Sequence, residues 1–108
     1  MSYNRLDDRF IESDMLRALM HRDLLTRVAT YQEDNFQYDI KIDETYRADL
    51  AAYRAYGTAD LRWVFKIIAG HESEEEALPT GQTFTLPDMT WIRNAIRDYA
   101  LKASEIDL

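Results

Sequence analysis

The chain has no cysteine, three glycines, two prolines and two histidines among its 108 residues. Without cysteine there is no disulfide framework and no thiolate metal site, a usage compatible with a reducing compartment. Two histidines, His21 and His71, argue against a catalytic zinc site. The glycines at 57, 70 and 81 each have a turn-making explanation. No phosphate-binding glycine loop is left, and no Ser/His/Asp order with a recognisable elbow is present. The sequence therefore nominates no catalytic residue, no cofactor and no metal ligand. No apolar run approaches the ~20 residues of a membrane span. The first ten residues, MSYNRLDDRF, lack the basic start and apolar stretch of a secretory signal. The expectation is a chain made and kept in cytosol, unless it leaves as part of an assembly. Basic residues are few: 13 Lys and Arg against 20 Asp and Glu leave a formal charge of −7. That balance argues against general affinity for nucleic acid or an anionic membrane, and no local basic patch stands out.

What is present is enough apolar material for one small domain, with an aromatic excess of seven Tyr, four Phe and two Trp. Tyr and Trp are also favoured at interfaces. Residues 9–29, RFIESDMLRALMHRDLLTRVA, predict a first helix, with Ser13 or Asp14 as N-cap. Leu16, Met20, Leu24, Leu25 and Val28 form its inner side, which Met15 and Leu19 broaden. FQYDIKID at 36–43 alternates, predicting a strand with Phe36, Tyr38, Ile40 and Ile42 on one face. RADLAAYRAY at 47–56 predicts a second helix with Leu50 and Tyr53, beside Ala51 and Tyr56, on its buried side; Gly57 stops it. In TADLRWVFKIIAG, capped by Thr58 or Asp60, Leu61, Val64, Phe65 and Ile68 share a core-facing stripe. Trp63 and Ile67 form a second one. HESEEEALPTG reads as an acidic loop and QTFTL at 82–86 as a second strand, stopped by Pro87. Asp88 caps a last helix on which Ile92, Ile96 and Tyr99 share a face, with Trp91 beside it, and SEIDL is expected to fray. The prediction is an α+β fold: a β-α-α-β core with an N-terminal and a C-terminal helix added. Its divisions are 1–35, 36–88 and 89–108.

The core resembles a LysM domain in its strand, its helix ending in Tyr56–Gly57, its second helix, and its GQTFTLP segment at 81–87. LysM domains as a class bind polymers of N-acetylglucosamine. A narrower likeness rests on Arg47, Asp49 and Leu50; Ala52, Tyr53 and Arg54; Tyr56 and Gly57; and Leu61, Trp63 and Val64. These resemble a segment of LysM-like baseplate proteins of contractile-tailed phages and related particles. The likeness covers roughly residues 36–90. Gly70–His71 departs from it, because many relatives place an asparagine in that turn. The resemblance implies a non-enzymatic structural role in the virion, with several copies tying wedge, hub, tube or sheath proteins together. LysM-type binding of peptidoglycan glycans is the alternative.

On that reading the candidate interface comprises Trp63, Ile67, Tyr53, Tyr56 and Trp91. Two placements stand open for Trp63 and Ile67: docking a neighbouring chain, or lying under a terminal helix. Glu72, Glu74, Glu75 and Glu76 form a candidate acidic docking loop for a basic partner. The same run could be a solvated loop, or a weak site for a hard cation, although it lacks the ligand alternation of a calcium loop. Tyr31, Tyr38, Tyr46, Tyr53 and Tyr56 suit semi-buried rings with surface hydroxyls, the preferred reading, or interface anchors. Arg47 and Asp49 are expected to orient the start of the second helix. HRDL at 21–24 and HESEE at 71–75 match fragments of a kinase loop and a zinc-protease motif, but both lack the rest of those constellations.

Overall fold

In the computed structural model, residues 4–71, 73 and 75–106 are described, the last four of them for backbone only. Ser13 caps α1 (Asp14–Ala29), its hydroxyl accepting from the Leu16 N–H at 3.3 Å. Strand β1 (Phe36–Asp39) leads through a 3-10 turn at Ile42–Glu44 to α2 (Ala48–Tyr56). A second 3-10 turn at Ala59–Leu61 leads to α3 (Arg62–Ala69). Strand β2 (Thr83–Leu86) follows, then α4 (Met89–Ile106). The two strands pair antiparallel, with Phe36 opposite Leu86 and Tyr38 opposite Phe84. The chain is thus mixed α+β, with a β-α-α-β order between two terminal helices.

Local chemistry explains most boundaries. Gly57 and Gly70 end α2 and α3 at φ 83° and 74°, a region that side chains disfavour. Asp88 starts α4 by accepting from the Thr90 N–H at 2.9 Å. Four residues per strand make a marginal sheet by themselves. What stabilises the pair is α3 lying across it. Phe65 is fully buried. Its ring meets Phe84 at 6.1 Å between centroids and Tyr38 edge-on at 5.7 Å. Tyr56 joins edge-on at 6.5 Å and carries Phe36 at 5.3 Å. Such ring pairs add about 1 kcal/mol each beyond the area they bury.

Four expectations need correction. The alternation does not run to Asp43: β1 ends at Asp39, Ile40 is buried, and Ile42 is 82% exposed. On α2 the buried residues are Ala48, Ala51 and Ala52, with Ala55 packed beside them, whereas Tyr53 is 61% exposed and Leu50 half-exposed. Small residues at i, i+3, i+4 and i+7 let α2 lie close to α3, which leaves no room for the larger side chains on that stripe. On α1, Leu16, Met20 and Leu24 are buried, but Met15 and Leu25 face solvent. The tail is helical through Ile106, so α4 takes in much of the segment expected to fray.

The terminal helices share the core. Ile11, Leu16, Met20 and Leu24 from one end join Ile92, Ile96 and Tyr99 from the other in one apolar cluster with Leu61, Val64 and Phe65. The Tyr99 hydroxyl donates to Asp23, tying α4 to α1. Trp63 is 6% exposed, because the N-terminal segment covers it. Its indole N–H donates to the Leu6 carbonyl at 2.8 Å, and the His21 ring lies 5.6 Å away. Of the two placements open for Trp63, this is the internal one. Trp63→Ala is expected to cost about 3–5 kcal/mol in urea unfolding. An unchanged unfolding midpoint would show that this cover contributes nothing.

Candidate interaction surfaces

The turn between β1 and α2 is organised by a buried carboxylate. Glu44 is fully buried, on a chain segment that otherwise faces water. Burial alone would raise its pKa. Three donors outweigh it: the Tyr38 hydroxyl, the Lys41 N–H at 2.8 Å and the Arg54 guanidinium at 2.9 Å. The net result is a pKa below the ordinary 4.5. Tyr38 is pushed up to about 12 by burial and by donating to this carboxylate. Arg54 also grips Asp43 through two bonds of 2.8 Å, an exposed fork that adds geometry more than stability. The Leu78 N–H donates to the Thr45 carbonyl at 2.6 Å, and the Thr45 and Thr80 hydroxyls bond at 2.8 Å. The loop before β2 is thereby fastened to the same turn.

This frame presents apolar groups outward. Ile42 is 82%, Tyr46 74% and Tyr53 61% exposed. The Ile42 carbonyl accepts from the Thr45 N–H at 3.3 Å and the Tyr53 carbonyl from the Gly57 N–H at 2.8 Å, so these two backbones are ordered before any contact. Arg47 and Asp49 pair at 3.0 Å at the start of α2, but the pair is exposed and Arg47 makes no side-chain capping bond to the helix.

The sequence-nominated interface residues separate on inspection. Trp63 is internal, as described. Tyr56 is half-buried; its hydroxyl donates to the Pro87 carbonyl at 2.8 Å, and burial raises its pKa. It serves the sheet–helix packing instead of an outer surface. Trp91 is half-buried under the Arg27 guanidinium, 5.5 Å from its centroid. Ile67 is half-buried in a cleft of about 280 Å³ that Asp7, Arg9, Arg62 and Lys66 also line. Tyr53 alone among the five is largely exposed. Glu75 and Glu76 are exposed, while Glu72 and Glu74 lie outside the described residues.

A second cleft of about 280 Å³ lies between the turn at Thr45–Asp49 and the loop at Glu76–Leu78, with Arg62 and Lys66 in its wall. His71 also lines it; its Nε2 lies 3.1 Å from the Ala77 carbonyl, and its Nδ1 is buried with no hydrogen-bond partner among the described residues. The residue that departs from the asparagine of the resembling family thus bridges its own loop. Among the described residues, no three His, Asp or Glu side chains converge on a possible metal position. No described helix is long and apolar enough to cross a membrane.

Sequence reading missed Glu44 and Ile42. The alternation through Ile42 masks the turn, and the partner that makes Glu44 tolerable in the interior lies ten positions away at Arg54. Comparisons of the chain with protein-family models, curated proteins and solved structures find no match in any of the three.

The lowered pKa of Glu44 has a definite sign. A carboxylate with a folded-state pKa below its unfolded value contributes stability above the unfolded pKa, and loses it as pH falls through the folded one. Glu44→Gln is expected to cost about 3 kcal/mol at pH 7 and to flatten the fall in stability below pH 4.5. Urea unfolding of both proteins from pH 7 to pH 3 checks this. Parallel curves would remove Glu44 from the acid response.

Proposed function

We propose that the chain is a non-enzymatic structural component of a contractile phage tail baseplate, or of a related particle. In that role several copies of it tie wedge, hub, tube or sheath subunits together within one virion. The observation that carries this reading is the run RADLAAYRAYGTADLRWV at 47–64, whose residues resemble LysM-like baseplate proteins. The places these residues occupy support it. Arg47 and Asp49 pair with each other at the start of α2, Arg54 holds the turn through Glu44, and Gly57 turns the chain between helices. Leu61 and Val64 anchor α3 in the core. The β-α-α-β order suits a LysM-like block. Ile42, Tyr46 and Tyr53 then supply rigid, outward apolar contacts of the kind that dominate protein interfaces.

A second reading draws on the cleft between Thr45–Asp49 and Glu76–Leu78. It lies between a strand–helix loop and the loop before β2, beside Tyr46, and could receive an N-acetylglucosamine oligomer. Its small volume and charged wall suit a short polar segment of glycan at most.

Tagging the chain in its native host and identifying what co-purifies separates the two. Tail sheath, tube, hub or wedge proteins are expected, and Tyr53→Ser is expected to reduce their recovery several-fold without shifting the urea midpoint. Recovery with cell-wall fragments and no tail proteins sinks the assembly reading. Millimolar chitooligosaccharide that shifts the NMR signals of Thr45, Tyr46 and Leu78 would favour the glycan reading; no shifts would end it.

A further inference from the structure

A groove of about 940 Å³, larger than either cleft described above, lies between residues 4–10 and α4. Its floor is apolar: Phe10 is 38% and Leu101 58% exposed, over the buried Ile96. Its rim is basic, formed by Arg5, Arg93 and Arg97, all exposed. No acidic side chain among the described residues lines it, in a chain with 20 acids and a charge of −7. The arginines are also weakly engaged. Arg97 lies 3.6 Å from Asp98, both well exposed, and among the described residues Arg93 reaches only the Met89 sulfur at 3.8 Å. Arg5 has no ion-pair partner among the described residues. Arg93, Arg97 and Leu101 recur every four residues along α4, a ridge about 12 Å long.

The geometry points to a docking groove for an acidic amphipathic helix of a partner protein. A helix laid along the ridge would place apolar side chains on Phe10, Ile96 and Leu101. Carboxylates four residues apart on that helix would face Arg93 and Arg97, with Arg5 across the groove. Guanidinium groups suit this because their planar forks take carboxylates in bidentate pairs. The apolar floor supplies affinity, and the charged rim supplies register and encounter rate. An anionic membrane is a poorer occupant: the groove is concave, and the chain's net charge repels an extended negative surface. The occupant's chemistry also differs from the basic partner that the Glu72–Glu76 run would select. The assembly reading is not required for this inference.

A random 16-residue peptide display library screened against the full chain, with Arg93→Glu/Arg97→Glu as counter-target, tests the groove. Both arginines are exposed, so the variant should fold, and circular dichroism with urea unfolding checks that it does. The expected peptides are enriched in Asp and Glu at helical spacing beside Leu or Phe. Binding to the variant is expected to be at least about tenfold weaker, and Leu101→Ser should weaken it further. On the wild-type protein these peptides should shift the NMR signals of Phe10, Arg97 and Leu101. A library yielding no such acidic pool, or peptides that bind the variant equally well, overturns the proposal. So does a concentration-dependent dimer in sedimentation that Leu101→Arg abolishes, which would give the groove to a second copy. Co-sedimentation with phosphatidylglycerol vesicles that depends on Arg93 and Arg97 would likewise replace the peptide with a membrane.

Discussion

A carboxylate withdrawn from water must be met by donors, and meeting Glu44 dictates the geometry around it. Its donors come from three parts of the chain: Tyr38 on β1, the Lys41 backbone in the turn and Arg54 on α2. The strand has to end where it does for Lys41 to turn back, and α2 has to approach at the height that brings Arg54 within reach. Once α2 is placed, the short link through Gly57, Thr58 and the 3-10 turn at Ala59–Leu61 places α3, and Phe65 comes down on the sheet. An apolar residue at position 44 could match such an ion pair in stability. It could not select one register of turn against another, because apolar contacts have no preferred direction. The carboxylate's three directional bonds define the turn, and the turn carries Ile42 and Tyr46.

The second constraint is the small area of a two-stranded sheet. One face of α3 covers the strands, which leaves Trp63 on another. Exposed, that ring would be a sticky surface; in this fold the chain's own N-terminus removes it from water, and the indole N–H finds the Leu6 carbonyl. The cover is itself fastened. Asp7 accepts from the Arg9 backbone and side chain, and Arg17 donates to the Ile11 carbonyl at 2.9 Å. The terminal helices are therefore part of the folding unit, and the divisions at residues 35 and 88 mark changes of element within a continuous apolar core.

Where control was local, the sequence was readable. Ser13, Gly57, Gly70 and Asp88 act at the helix ends where capping rules put them, and the short β run before Pro87 is a strand. The alternation of Phe36, Tyr38 and Ile40 names the right face. Reading failed where a distant partner decided the matter. Ile42 continues the alternation in sequence but not in space, because Glu44 and Arg54 turn the chain first. On α2, side-chain size misled: apolarity favoured Leu50 and Tyr53, whereas close approach to α3 required alanine. The candidate surfaces were less legible still. Trp63 and Tyr56 have the composition of interface anchors, yet each is used internally. The arginine-rimmed groove joins residues some ninety positions apart, and no window of sequence brings Arg5 beside Arg97.

Charge segregation bears on what such a chain could assemble with. A uniformly acidic surface would select one class of partner and repel copies of itself. This surface is not uniform: the exposed Glu75 and Glu76 coexist with a groove of arginines on an apolar floor. The outward residues of the β1–α2 turn belong to a third region, with neither bias. Under the assembly proposal, surfaces of unlike chemistry on separate elements allow one copy to hold unlike neighbours at once. A contact between the basic groove of one copy and the acidic run of another would be heterologous, and would build open arrays unless its rotation closed a ring. The apolar floor works against that outcome, because the exposed Glu75 and Glu76 can pair with the rim but leave Phe10 and Leu101 uncovered. A partner helix with both carboxylates and apolar side chains satisfies both parts of the groove. That difference in fit favours a connector between different proteins over a self-polymerising subunit.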